Sequence, residues 1–258
     1  MTPLRDILAA ASREDDGLTA TIPADWRQGR TTYGGLSSAL ALHAAQQSAP
    51  DLPPLRSAQI SFIGPVADEV RITARLLRRG RNAAFVQADI LSADALAFRA
   101  TFVFMADRES TVSLDAPAGH DLAPPAADAR LYTGPDDFFT GNFNFLDVKA
   151  PDLGPAELLR WARLRDADGL DPMVHLMAVA DSLPPAAFKL LGNVMVPVSS
   201  VTWTVNLLTA MPATRDGWWL LSSRSDQAAN GGSSQSMAIW NADGDRIAEG
   251  MQSVLIFA

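Results

Sequence analysis

The chain has no cysteine among its 258 residues. That excludes a cysteine nucleophile, a disulfide framework and a thiolate metal site, and it fits a reducing compartment. No apolar run approaches the roughly 20 residues of a membrane-spanning helix. The short apolar stretch Ile7–Ala11 runs into Arg13, Glu14, Asp15 and Asp16, which is too short and too acidic for a signal peptide. The expectation is a soluble, cytoplasmic protein with no membrane span. Positive charge is also scarce: 21 Lys and Arg stand against 29 Asp and Glu, a net charge of −8, with no long basic stripe. Nucleic acid is therefore not an expected partner, because such binding rests on neutralising phosphates. Histidine is rare, with His43, His120 and His175 only, and none has metal-ligand spacing. No metal and no cofactor are expected. His120 reads as a solvated linker residue and His43 as a packed helix residue. The Gly-x-Ser-x-Gly elbow of serine hydrolases is missing; its nearest approach, Gly231-Gly232-Ser233-Ser234-Gln235, reads as a loop or bulge. No Gly-x-Gly-x-x-Gly phosphate loop follows a strand.

What is present is a pattern that occurs twice. Tyr33-Gly34-Gly35 opens a helix of small residues, with Leu36, Leu40, His43 and Gln47 on one stripe and an end before Ala49-Pro50. Alternating segments follow. Ala58, Ile60 and Phe62 oppose Ser57, Gln59 and Ser61; Val70, Ile72, Ala74 and Leu76 oppose Arg71, Thr73 and Arg75. Ala84–Ile90 then pairs with Phe98–Phe104 across Ser92–Ala95. Period-two alternation marks antiparallel strands with one buried face. In the second half a helix-like stretch, Asp171–Leu191, starts with Asp as N-cap and Pro at the first helical position, and Pro184-Pro185 interrupts it. Val198–Leu208, Trp218–Asp226, Ser234–Trp240 and Ile247–Phe257 alternate again. Trp161–Asp168 reads as a lead into the second helix. The closing hairpins read as sharing a turn, Leu91-Ser92-Ala93-Asp94 in one half and Trp240-Asn241-Ala242-Asp243-Gly244 in the other. Between the halves, Ala106–Asp137 lacks periodicity and is punctuated by Pro117, Pro124, Pro125 and Pro135. The expected architecture is α+β: a unit at 1–110, a linker at 111–137 and a second unit at 138–258, their antiparallel sheets joined edge to edge to remove exposed edges.

Polar residues at otherwise apolar places are the candidates for chemistry. Asp181 sits in the apolar run Met177–Leu183, where a local cap is an equal reading. Ser200 lies on the polar side of an alternating strand. Gln252 interrupts the near-continuous apolar strand Gly250–Phe257 and, if buried, needs partners for both ends of its amide. The best basic cluster is Arg78-Arg79-Gly80-Arg81-Asn82, which is either a solvated hairpin tip or a seat for a small anion.

These segments together resemble the acyl-CoA thioesterase II family, whose members are double-hotdog proteins. The resemblance runs over nearly the whole chain. Tyr33-Gly34-Gly35, Ser61-Phe62-Ile63-Gly64-Pro65 and Arg78–Phe85 carry it in the first half. Ala180-Asp181, Ser200–Leu207 and Glu249-Gly250-Met251-Gln252 carry it in the second. Ser200 stands for the family's usual Thr, Thr202-Trp203 replace its Asp-His, and Asn206 replaces an aromatic or His. The resemblance implies two hotdog units, each a sheet wrapped around a central helix, and assembly as a homo-oligomer, a dimer of double hotdogs. It implies an acyl-CoA substrate hydrolysed by water, with Asp181, Ser200 and Gln252 catalytic. Gly34, Gly35, Arg78, Arg79, Arg81 and Asn82 are then substrate-binding. Two other readings stand beside it. One is a non-catalytic acyl-CoA or lipid-binding module. The other is an enoyl-CoA hydratase, suggested by Asp171-Pro172-Met173-Val174-His175, a near miss to Asp-x-Asn-Pro-Leu-His.

Overall fold

The computed structural model describes residues 1–14, 17–114, 119–192, 194 and 196–257. In chain order the elements are α1 (Leu4–Ala10), β1 (Ser12–Glu14), β2 (Gly17–Thr21), β3 (Arg27–Gln28), β4 (Thr31–Thr32) and α2 (Gly34–Gln47). Then come β5 (Leu55–Phe62), β6 (Glu69–Arg79), β7 (Ala83–Ser92) and β8 (Ala95–Met105). The second half holds β9 (Phe143–Asp147), β10 (Glu157–Leu164), α3 (Pro172–Ala180), β11 (Val198–Leu207), β12 (Trp219–Ala229), β13 (Gly232–Trp240) and β14 (Arg246–Ile256).

Apart from the short β3–β4 ribbon, all strands form one antiparallel sheet in the order β1-β2-β6-β7-β8-β5-β11-β14-β13-β12-β10-β9. The two half-sheets join edge to edge through β5 and β11, where Gln59 lies opposite Thr204. The order β5-β8-β7-β6 on one side of this junction repeats as β11-β14-β13-β12 on the other. This is the double hotdog that the resemblance implies, with its two sheets fused into one.

The strand faces follow the alternation. Ala84, Val86, Ala88 and Ile90 are buried, as are Phe98, Ala100, Phe102 and Phe104 on the neighbouring strand. Burial of such side chains contributes about 1.5–3 kcal/mol each for the large ones, which is what holds the sheet against the helices. The expected stripe on α2 gives way to burial around almost the whole helix: Gly35 through Leu42, Ala44 and Ala45 are all buried, while Gln47 at its end is exposed. Small residues make this possible, because α3 packs directly against α2. The Tyr33 hydroxyl, at the start of α2, donates to the Ala178 carbonyl of α3 at 2.8 Å, and its ring stacks on Phe139 at 4.2 Å between centroids.

Several local expectations change. α3 ends at Ala180 rather than running on to Leu191. Pro184 has no N–H to donate to the Ala180 carbonyl and its ring would crowd that carbonyl; a separate 3-10 turn occupies Ala186–Leu191. Trp161–Asp168 does lead to a helix, α3 opening at Pro172, but not as a plain connection. Its first part is the end of β10, a strand with apolar cover on both faces: Ala162 and Leu164 belong to the main core, while Trp161 belongs to a second cluster with Trp218, Leu220 and Ala242. The closing hairpins do not share a turn. Ala93-Asp94 is a two-residue turn with both φ values positive (48° and 61°), whereas Asn241 organises a longer loop by accepting from the N–H groups of Asp243 and Asp245. A turn of the same kind as Ala93-Asp94 is Asn230-Gly231 (φ 53° and 78°), but it joins β12 to β13, the place that the β6–β7 tip holds in the first half. Gly231-Gly232-Ser233-Ser234-Gln235 is therefore a tight turn opening a strand.

Among the described residues of 106–137 no helix or strand forms beyond a single bridge from Tyr132 to Phe145; Pro117 lies outside them. His120 is seated between the rings of Trp161 and Trp240, at 5.6 and 5.8 Å, rather than solvated. No helix among the described residues is long and apolar enough to cross a membrane.

Candidate active site

Asp181 is the residue after the last turn of α3, and its carboxyl meets the first turn of α2. Tyr33, the N-cap of α2, offers no side-chain cap. The orphan N–H groups of that turn must find partners elsewhere, and the N–H of Gly35 donates to Asp181. Gly34 permits the approach: a Cβ there would overlap Asp181 Oδ2 and stand 2.9 Å from the Phe62 ring. The Gly-Gly pair thus matters for space as much as for backbone freedom.

On its other side Asp181 Oδ1 accepts from Gln252 Nε2 at 2.9 Å. Gln252 Oε1 accepts from Gln235 Nε2 at 2.7 Å, and Gln235 Oε1 accepts from the N–H of Ala186 at 3.0 Å. Both glutamines are buried. This chain of amides starts at a backbone N–H, so every donor and acceptor in it has a fixed sense. Gln252 must present its NH2 to the carboxyl. Removal from water pushes the Asp181 carboxyl up to about 7, against the hydrogen bonds from Gln252 and Gly35, which favour the charged form. A carboxyl poised near neutrality beside a helix N-terminus can take a proton from water and return it.

Ser200 arrives by a different route. Simple alternation aims it outward with Thr202 and Thr204. A bulge between Ser200 and Thr202 resets the register, so that Ser200 lies opposite Val254 and Trp203 opposite Gln252. Val254 and Gln252 are both buried, and cross-strand partners share a face. Ser200 therefore faces inward, one residue pair from Gln252, about 7 Å along the strand. It makes no hydrogen bond to Asp181 or Gln252, and a small molecule between them is the shared partner its position allows.

The duplication supplies an internal control. Rotation about the Gln59–Thr204 pair maps Ser200 onto Leu55, Gln252 onto Phe102 and Gln235 onto Val86. Aligning the N-caps Tyr33 and Asp171 maps Asp181 onto His43. Even the bulge recurs, between Leu55 and Ser57. The first half thus holds Leu, Phe and Val where the second holds Ser, Gln and Gln. His43 is left with Gln47, 2.6 Å away, and burial lowers its pKa while Asp171 nearby raises it. The first half forms the same strands with apolar residues at these positions, so the shared fold does not require the polar set of the second.

The arginine cluster stands elsewhere. The β6–β7 tip lies beside Phe104 and Leu55, whereas Phe62, at the other end of β5, borders Asp181. Eight residues of strand separate the two ends, about 23 Å. Arg79 donates to the carbonyls of Pro50 and Asp51 at 2.5 and 2.6 Å, and the Asn82 carbonyl accepts from Ala106. Arg78 and Arg81 are exposed. Asp171 and His175 do not converge either. Asp171 caps α3 through the N–H groups of Met173 and Val174, while His175 faces Trp219 at 6.1 Å and burial lowers it to about 4. No group of three or more potential metal ligands occurs among the described residues. Gln235 is the residue that sequence reasoning missed. Its signal was the alternation Ser233, Gln235, Met237, Ile239, hidden by the glycines before it.

The chain matches the family model for the acyl-CoA thioesterase C-terminal domain over residues 109–256 and that for the N-terminal domain over residues 22–105. Among solved structures, a conserved protein of unknown function with a hot dog fold from Alicyclobacillus acidocaldarius is similar at TM-score 0.82 and 22% identity, over 100% of this chain and 99% of that one. A tesB protein of Mycobacterium avium subs paratuberculosis is similar at TM-score 0.78 and 18% identity, over 100% of both chains. An acyl-CoA thioesterase II, TesB2, from Mycobacterium marinum is similar at TM-score 0.73 and 17% identity, over 98% of this chain and 96% of that one. These likenesses establish the shared fold. The comparison with curated proteins returned no match.

Proposed function

Since the chain belongs to the acyl-CoA thioesterase family, we propose that it hydrolyses an acyl-CoA to the free acid and CoA at the Asp181 site. The observation that carries this is the Asp181 carboxyl, poised near neutrality between a helix N-terminus and a buried amide chain, in one half of a duplicated fold only. Water sits between Asp181, Gln252 and Ser200. Asp181 takes its proton as the oxygen bonds to the thioester carbon. The charge that develops on the carbonyl oxygen faces the N-terminus of α2, where first-turn N–H groups and the helix dipole stabilise it. As the tetrahedral species collapses, the carbon–sulfur bond breaks and the proton passes from Asp181 to the leaving sulfur. Carboxylate, water and thioester balance without a covalent enzyme intermediate. Gly34 and Gly35 bind substrate through the backbone. Arg79 holds the turn at 50–51, so of the cluster only Arg78, Arg81 and Asn82 remain as contacts for the distant end of CoA.

The test is thiol release from a panel of acyl-CoAs by the wild type and by Gln252→Ala and Ser200→Ala. Turnover by the wild type, reduced on the order of 10- to 1,000-fold in each variant, is the expected result. Binding of acyl-CoA without release of thiol from any of them would replace the enzyme with a binding module.

A further inference from the structure

We propose that Tyr33 is a positioning residue for Asp181: its hydroxyl fixes the end of α3, so that the carboxyl stays on the N–H of Gly35. The inference rests on Asp181 being the base, and it adds the group that keeps this base in register with the helix N-terminus it faces. The need arises where α3 stops. A continuing helix would give the Ser182 N–H to the carbonyl of Ala178, four residues back. The helix ends at Ala180, and Ser182 donates to Val179 instead, at 3.0 Å. The Ala178 carbonyl is left over in the interior, where Ala178 is fully buried and an unmet carbonyl is costly. The Tyr33 hydroxyl supplies its partner, at 2.8 Å. The first half has no such need, because its helix runs on. Aligning the N-caps maps Ala178 onto Leu40, inside α2, where the helix itself occupies the carbonyl. The counterpart of Tyr33 is Asp171, whose side chain caps α3 and accepts from Gln46 at 3.1 Å.

The tie closes a ring. The backbone of Tyr33 opens α2, and two residues on the N–H of Gly35 donates to Asp181. Asp181 follows Ala178 by three residues, and the Ala178 carbonyl accepts from the same Tyr33. The ring is tight because the phenol lies back over Gly35: a Cβ there would stand 2.4 Å from the phenol oxygen. Gly34 thus leaves room for the carboxyl, and Gly35 for the phenol. The aromatic ring is seated without help from its hydroxyl, stacked on Phe139 and edge-on to Phe143 at 5.9 Å. Burial first, and then the charge of Asp181, raise the phenol well above its ordinary range, so it stays a donor. Deleting the hydroxyl keeps the ring in place and leaves the Ala178 carbonyl to be met by the Ser182 N–H or by water. Either change turns Asp181, between Ala178 and Ser182, off Gly35.

The experiment is a double-mutant cycle read as thiol release from an acyl-CoA that the wild type hydrolyses. It compares the wild type, Tyr33→Phe, Asp181→Asn and the double variant, each checked for a cooperative thermal transition. In the wild-type background Tyr33→Phe should lower kcat about 10-fold or more, as for a displaced catalytic group, with KM changed by less than about twofold. In the Asp181→Asn background, followed in single turnovers, the same change should alter the residual rate by less than about twofold, because the group it positions is gone. A general loss of packing would slow both backgrounds alike. Should Tyr33→Phe not fold, Phe139→Leu, which loosens the seat of the phenol, takes its place in the cycle with the same expectation. An unchanged kcat in Tyr33→Phe, or an equal loss in both backgrounds, overturns the proposal while leaving Asp181 as the base. Turnover that survives Asp181→Asn undiminished, or no release by the wild type from any acyl-CoA, overturns the reading beneath it and the proposal with it.

Discussion

Changing pH across neutrality should move activity and stability in opposite directions, through one group. The Asp181 carboxyl is pushed up to about 7 in the folded protein, from an ordinary value of 3.8. As a base it works only when ionised. Below 7, kcat/KM should fall about tenfold per pH unit, so that activity at pH 5 is about one hundredth of its plateau. Stability runs the other way. Below 3.8 the group is protonated whether the chain is folded or not. Between 3.8 and about 7 the folded state binds more proton than the unfolded state, so stability declines as pH rises through this window and levels off above it. Each tenfold change in proton affinity is worth about 1.4 kcal/mol, so the ionised carboxyl costs the fold about 4 kcal/mol above pH 7. Asp181→Asn removes that cost and keeps an oxygen for Gln252. It should therefore be the more stable protein in denaturant titrations at pH 8 and close to wild type at pH 4. A wild-type kcat/KM flat from pH 5 to 9, or an Asn variant less stable than wild type at pH 8, would refute the reasoning.

Other perturbations separate site from scaffold. Gly34→Ala puts a methyl group onto Asp181 Oδ2 and the Phe62 ring; kcat should drop by at least about tenfold, as for a displaced catalytic group, in a protein whose circular dichroism is unchanged. Gln235→Ala leaves Gln252 Oε1 and the Ala186 N–H without partners. It should cost about 1–3 kcal/mol per group in denaturant unfolding and should lower kcat more than it raises KM, because Gln252 then loses its fixed sense. Arg79→Ala loses two hydrogen bonds to the turn at 50–51; a stability loss of about 1 kcal/mol with kcat unchanged is expected, and a large rise in KM alone would return Arg79 to the substrate.

Much of the fold is legible because strands with one buried face alternate, and because Tyr33-Gly34-Gly35 and Asp171-Pro172 mark where the central helices begin. β10 escaped because the connection between the halves covers its outer face: with Trp161 buried on one side and Ala162 on the other, alternation disappears and a short apolar run looks like either element. The site was legible residue by residue only through the resemblance. Asp181 and Gln252 are 71 positions apart, and nothing local predicts their hydrogen bond. Ser200 was placed on the wrong face by pattern, since a one-residue bulge reverses the side of every position before it. Gln235 was overlooked since Gly231–Gln235 read as a loop or bulge rather than as a tight turn launching a strand. The arginine cluster was conspicuous in sequence, yet the β6–β7 hairpin carries it to the far end of the sheet.

The central claim is that Asp181 is the base that activates water at a single site. Its most direct test is single-turnover thiol release at pH 8 by Asp181→Asn, with enzyme in excess over an acyl-CoA that the wild type hydrolyses, and with binding of that acyl-CoA confirmed separately by calorimetry. Tight binding is expected, with a release rate lower by at least about 100-fold, the contribution typical of a positioned general base. Release at the wild-type rate by the folded, binding-competent variant would contradict the claim.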